Sequence, residues 1–349
     1  GTPNNYLDMK QTLFLTLMLS AGLHLGAATH DQVPVITHQP TWTEWHDQQV
    51  NEVNRYRLHT NFFGYENEDL ALAGDKTRSA NYLSLHGDWK FHWVRNADQR
   101  PTDFYKTDLD DQSWGTLKVP GIWEVNGYGD PVYVNVGLAW RHLFDKANPL
   151  NIPVKENHVG TYRRVVELPA SWNGKQVIAH FGAVSSNIYL YVNGQYVGYA
   201  EDAKTAAEFD LTPYVKPGKN LIAFQTFRWC DGSLSEDQDF WRLSGVSRDS
   251  YLYAQDAKVQ VSNIRITPDL ENNYQDGELL INVDVKGHPK IDFQLLNAGG
   301  LVVGKSTGDF LRMSNGTARF MVRNVKTWTA ETPYLYTLTL TLKGQGGKI

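Results

Sequence analysis

Apolar and polar residues alternate with a period of two through much of the chain, the pattern of half-buried β-strands. Trp89-Lys90-Phe91-His92-Trp93 is a clear instance, set off by the turn-forming pair Gly87-Asp88. The same pattern predicts strands at residues 161–168 and 176–181. A hairpin is the sharpest local signal. Ile188-Tyr189-Leu190-Tyr191-Val192 and Gln195-Tyr196-Val197-Gly198-Tyr199 flank Asn193-Gly194, and Asn-Gly suits a type I′ turn because both central residues need positive φ. Residues 210–220, broken by Pro213, Pro217 and Gly218, punctuate the chain before the apolar run Leu221-Ile222-Ala223-Phe224. Helical periodicity of convincing length is missing from this region. The expected architecture is all-β, an antiparallel jelly-roll sandwich.

Around Ala254 the texture changes. Val259, Val261, Ile264 and Ile266 lead into a polar turn over residues 269–277. Strands are predicted at 279–285, 291–296, 318–322 and 334–342, an even spacing that suits an immunoglobulin-like sandwich. The final residues, 344–349, read as a turn with no strand after it, so the chain is expected to be truncated there. At the other end, Lys10, the apolar run 13–19 and the small residues Gly26-Ala27-Ala28 have the order of a signal peptide. That run falls short of the roughly 20 residues a bilayer span needs. The expected division is 1–28 leader and signal peptide, 29–253 jelly roll and 254–349 immunoglobulin-like domain, with export to a periplasm or the exterior.

Composition narrows the function classes. Hydrophobic residues make up 41% and charged residues 20% of the 349, which is a globular balance. A net charge of −5 gives no footprint for nucleic acid. Cys230 is the single cysteine, so no disulfide can form within the chain. The 11 tryptophans and 18 tyrosines suit carbohydrate recognition, although a β-rich core also consumes aromatics.

The densest chemistry lies at residues 229–245. Asp231, Glu236, Asp237 and Asp239 fall between Trp229 and Trp241, and Arg242 closes the run. Aromatic side chains seek burial, whereas a buried carboxylate without a partner is costly. The acids therefore require partners: Arg242, Arg248, backbone amides, a cation or the hydroxyls of a sugar.

Several segments together resemble the front end of glycoside hydrolase family 2 β-galactosidases. They are Ser84-Leu85-His86-Gly87-Asp88-Trp89-Lys90-Phe91, Val119-Pro120-Gly121-Ile122-Trp123-Glu124, Tyr133-Val134-Asn135-Val136, Glu208-Phe209-Asp210-Leu211 and Asp237-Gln238-Asp239-Phe240-Trp241-Arg242-Leu243-Ser244-Gly245. The resemblance implies a jelly roll, an immunoglobulin-like domain and a following catalytic barrel. It implies retaining hydrolysis by two carboxylates about 5 Å apart, both in the barrel, so no catalytic residue is expected here. Asn135 and Asp239 would bind substrate hydroxyls, and Asp239 would also ligate Na+. Glu44, Asp47, the carbonyl of Val50, Glu201 and Asp231 would hold Mg2+, an oxygen cage suited to a hard cation. The partners implied are a β-galactoside and, for the full-length protein, further copies of itself. The residues alone also allow an Asp239–Arg242 ion pair that pins the loop, a turn-stabilising amide at Asn135, and unliganded surface acids at the Mg2+ positions. A stand-alone carbohydrate-binding module and a β-glucuronidase or β-mannosidase of the same family remain the alternatives.

Overall fold

The computed structural model describes residues 39–309 and 315–344. The expected leader, at 1–28, lies outside the described residues. The first domain is a sandwich of two antiparallel sheets. The larger has seven strands, in the order Glu52–Val53, Gln195–Ala200, Ile188–Val192, Gly218–Phe227, Val159–Leu168, Gly87–Val94 and Gly115–Val119. The smaller has four, in the order Ala207–Asp210, Gln176–Phe181, Ser250–Gln255 and Tyr82–Ser84.

Alternation along each strand places the core. Ile188, Leu190 and Val192 face the smaller sheet and pack with Phe181, Phe209, Phe224 and Leu252. Tyr189 and Tyr191 point the other way, into a second core with Trp45, Phe104 and Trp140. Both faces of the large sheet are therefore buried, which explains why Ile188–Val192 contains no polar residue. Trp42 stacks on Tyr189 at 5.1 Å and Trp45 on Phe227 at 5.1 Å, so these two tryptophans anchor the N-terminal segment on the large sheet. The hairpin also forms in the predicted register, Val192 opposite Gln195, with φ of 50° at Asn193 and 79° at Gly194.

Sheet membership changes between Gln255 and Gln260. The second domain pairs Gln260–Glu271, Asp276–Lys286 and Asn315–Val322 in one three-stranded sheet. Val302–Asp309, Lys290–Leu296 and Thr337–Lys343 form the other. Ile281, Val283, Ile291, Phe293 and Phe320 fill the space between them. The sequence pattern misses Val302–Asp309 because it is an edge strand with few apolar positions. Gly304 is needed there, since a Cβ would lie 2.5 Å from the Phe320 ring. Two short α-helices, Glu68–Ala73 and Gly232–Glu236, also escape a periodicity search because neither exceeds two turns. The second lies inside the acidic run.

Candidate functional site

The acidic run ends in one strand of a two-stranded ribbon. Phe240–Arg242 pairs with Val132–Val134, setting Phe240 opposite Val134, Trp241 opposite Tyr133 and Arg242 opposite Val132. Asn135 and Asp239 each stand one residue beyond the last of these pairs, at adjoining ends of the two strands. Both are exposed. The Tyr133 hydroxyl donates to Asp239 Oδ1, and the Tyr133 and Trp241 rings meet edge to face at 5.7 Å. These rings are 52% and 54% exposed, forming an open aromatic platform beside the two polar groups.

This corrects two expectations. Trp229 is buried, but Trp241 is not: its neighbours on the ribbon cover only one side. Arg242 does not pair with Asp239. Its guanidinium forms an ion pair with Asp237 and donates to the carbonyls of Phe240 at 2.8 Å and Val134 at 3.2 Å. It also lies 4.4 Å from the Phe240 ring. Arg242 thus fastens both strands together while leaving one Asp239 oxygen to a phenol and the other open. Arg248 likewise serves no carboxylate among the described residues, donating instead to the carbonyl of Lys204 at 2.7 Å.

The residues expected to hold a divalent cation lie on three stretches stitched together by main-chain bonds. Asp231 N–H donates to the Trp45 carbonyl and Glu201 N–H to the Asn51 carbonyl, each at 3.0 Å. Glu201 and Asp231 converge, and Cys230 joins them: one ligand atom from each lies within 4.8 Å of the others. All three are buried. Asp231 Oδ1 has no hydrogen-bond partner among the described residues, while the Tyr199 hydroxyl donates to Glu201 Oε1 at 2.5 Å. Burial first, then the facing Asp231, pushes the Glu201 carboxyl up to about 9. Burial pushes the Cys230 thiol up as well. The chain approaches closely here because residue 232 is glycine, and a Cβ there would sit 2.7 Å from Glu201 Oε2.

The remaining three expected ligands stand on an N-terminal strap, residues 41–51, that lies against the large sheet. Glu44 is buried and already accepts bonds from Thr41 N–H at 2.7 Å and the Tyr189 hydroxyl at 3.1 Å. Asp47 accepts from Gln49 N–H at 3.0 Å, and Val50 N–H donates to the Asp47 carbonyl at 2.9 Å. Neither the Glu44 nor the Asp47 carboxylate is in the tight group of Glu201, Cys230 and Asp231. Cys230 was missed because a lone cysteine carries no spacing signal. Two buried carboxylates facing each other, one with an orphaned oxygen, fit a divalent cation because each alone incurs a desolvation cost that the cation offsets.

The described residues thus form a galactose-binding-like jelly roll that carries an exposed acidic–aromatic ribbon, followed by an immunoglobulin-like sandwich. The chain belongs to glycosyl hydrolases family 2. That family's sugar binding domain matches residues 82–256, and a second domain of glycosyl hydrolases family 2 matches residues 259–349. A β-galactosidase of Priestia megaterium is 35% identical over 320 residues, covering 88% of this chain and 31% of that protein. One from Halalkalibacterium halodurans is 35% identical over 311 residues, covering 87% of this chain and 30% of that protein. The chain thus spans just under a third of the length of these curated relatives. Among solved structures, a β-glucuronidase of Bifidobacterium dentium superposes with a TM-score of 0.60 at 19% identity, covering 76% of this chain and 45% of that one. A β-glycosidase of Bacteroides vulgatus gives a TM-score of 0.58 at 21% identity, covering 76% and 32%. At such identities the structural likeness speaks to the fold, whereas the sequence relatives are named β-galactosidases.

Proposed function

We propose that this chain is the substrate-rim portion of a retaining β-galactosidase that removes terminal β-D-galactosides. The observation that carries this reading is the ribbon, which sets Asn135 and Asp239 at adjoining strand ends, with Asp239 bonded to Tyr133 and the rings of Tyr133 and Trp241 open. A carboxylate accepts hydroxyl donors and an amide both donates and accepts, while exposed rings cover the apolar face of a sugar. The two carboxylates that do the chemistry, one protonating the leaving oxygen and one attacking the anomeric carbon, belong to polypeptide beyond this chain. Asp239 would also ligate Na+, and Glu201 and Asp231 would hold Mg2+, with Glu44, Asp47 and the Val50 carbonyl on the adjacent strap. The bound cation would neutralise the buried carboxylates and keep the strap against the sandwich. Export through the leader and self-association of the full-length protein belong to the same reading.

The test is Asp239→Asn in the full-length enzyme, assayed with a chromogenic β-galactoside across a Na+ series. Losing a charged hydrogen-bond acceptor costs about 1.5–3 kcal/mol, so kcat/KM should fall roughly 10- to 150-fold and lose its Na+ dependence. Wild-type kinetics in the variant would remove Asp239 from the site.

A further inference from the structure

A cavity of about 540 Å³ opens on the outer face of the four-stranded sheet. It shares no lining residue with the depression beside the ribbon. Its floor is a cross-strand row in register, Glu208 opposite His180 and His180 opposite Tyr251. The Glu208 carboxylate is satisfied from within: His180 Nδ1 and His59 Nε2 each lie 2.7 Å from it, and the Tyr253 hydroxyl donates at 3.0 Å. His59 is fully committed, its other nitrogen lying 2.7 Å from the Thr60 carbonyl. The His180 ring stacks on Tyr251 at 4.5 Å, which fixes its orientation. Its Nε2 makes no hydrogen bond among the described residues.

The wall is cationic. Arg57, Lys76 and Arg248 come from three separate stretches of chain and line the same space. Lys76 is shared with Asp249 at 3.4 Å and lies 4.5 Å from the Tyr251 ring. Arg248 is exposed and has no ion-pair partner among the described residues. Glu208 and Asp249 are the only carboxylates in the lining, and each already has partners there. Tyr251 is 4% exposed, so its ring face is closed to a neutral sugar. The volume matches a small-molecule site.

We propose that this cavity is a second ligand site for a monosaccharide-sized molecule bearing an anionic group, phosphate or carboxylate, held by Arg248, Lys76 and His180 Nε2. The phosphate and carboxylate forms share one recognition chemistry, charge-assisted hydrogen bonds from a guanidinium fork and an imidazolium whose Nδ1–H is held by Glu208 and whose Nε2–H faces the ligand. The test is isothermal titration calorimetry on the full 349-residue chain, at constant ionic strength, with inorganic phosphate, galacturonate and galactose. At least one anion should bind, which tells the phosphate and carboxylate forms apart, and galactose should bind more weakly. Arg248→Ala should weaken the anion by about 10-fold. Arg248→Lys should fall between, because it keeps the charge and loses the fork. His180→Phe, which preserves the ring stack, should weaken binding too. Flat isotherms for both anions, wild-type affinity in Arg248→Ala, or galactose binding that Arg248→Ala weakens as much as it weakens the anions would overturn the proposal.

Discussion

Arg242→Ala isolates what holds together the ribbon whose strand ends carry Asp239 and Asn135. The ribbon has only three residue pairs, and a two-stranded ribbon is marginal by itself. Its side chain, 11% exposed, makes the Asp237 ion pair and two bonds to strand carbonyls. Hydrogen bonds from a charged donor contribute about 1.5–3 kcal/mol each when buried. Taking the low end for both, and nothing for the partly exposed ion pair, gives about 3 kcal/mol of local stability, or roughly a 100-fold increase in opening. Hydrogen exchange read by mass spectrometry over residues 132–134 and 240–242 measures this directly. Protection there should drop by about that factor, while the strands around Leu190 and Phe224, in the sandwich core, keep theirs. Unchanged exchange in the ribbon would refute the idea that Arg242 sets its geometry, as would an equal loss across the whole domain. In the full-length enzyme the same variant should raise KM for the galactoside.

The other sites give sharper pH and metal responses. Gly232→Ala places a Cβ 2.7 Å from Glu201 Oε2, so stabilisation by Mg2+, about 2.7 kcal/mol at 100 times Kd, should largely vanish in thermal melts; an undiminished response would unseat the metal assignment. Without metal, Glu201 titrates near 9 in the folded chain against 4.5 for an ordinary glutamate, so its stabilisation is complete below pH 4.5 and is lost as pH rises toward 9. Chelator-treated protein should therefore melt lower at pH 9 than at pH 5, and Glu201→Gln should flatten that slope. Glu208 behaves oppositely: burial would raise it, but the donors His180 and His59 outweigh burial and hold it at about 2. Its stabilisation is present above pH 4.5 and is lost as pH falls toward 2. Glu208→Gln should cost about 3 kcal/mol at pH 7 by leaving a buried cation unpaired, and denaturant titration would show it.

Much of the sandwich was legible in the sequence because strand alternation and turn chemistry are local. Ile188–Val192, the Asn193-Gly194 turn and Gln176–Phe181 fall where the pattern places them. The motif residues Asn135 and Asp239 could be named from the chain, but only strand pairing shows that they stand at adjoining strand ends. Tertiary structure also decided which tryptophan of the acidic run is buried, which carboxylate Arg242 serves, and that Cys230 stands with Glu201 and Asp231. The Glu208–His180–Tyr251 row comes from three strands distant in sequence, so no local pattern could announce it. Alternation reports which face of a strand is dry; charge partners and ligand sites depend on register between strands, and register is settled by packing across the sheets.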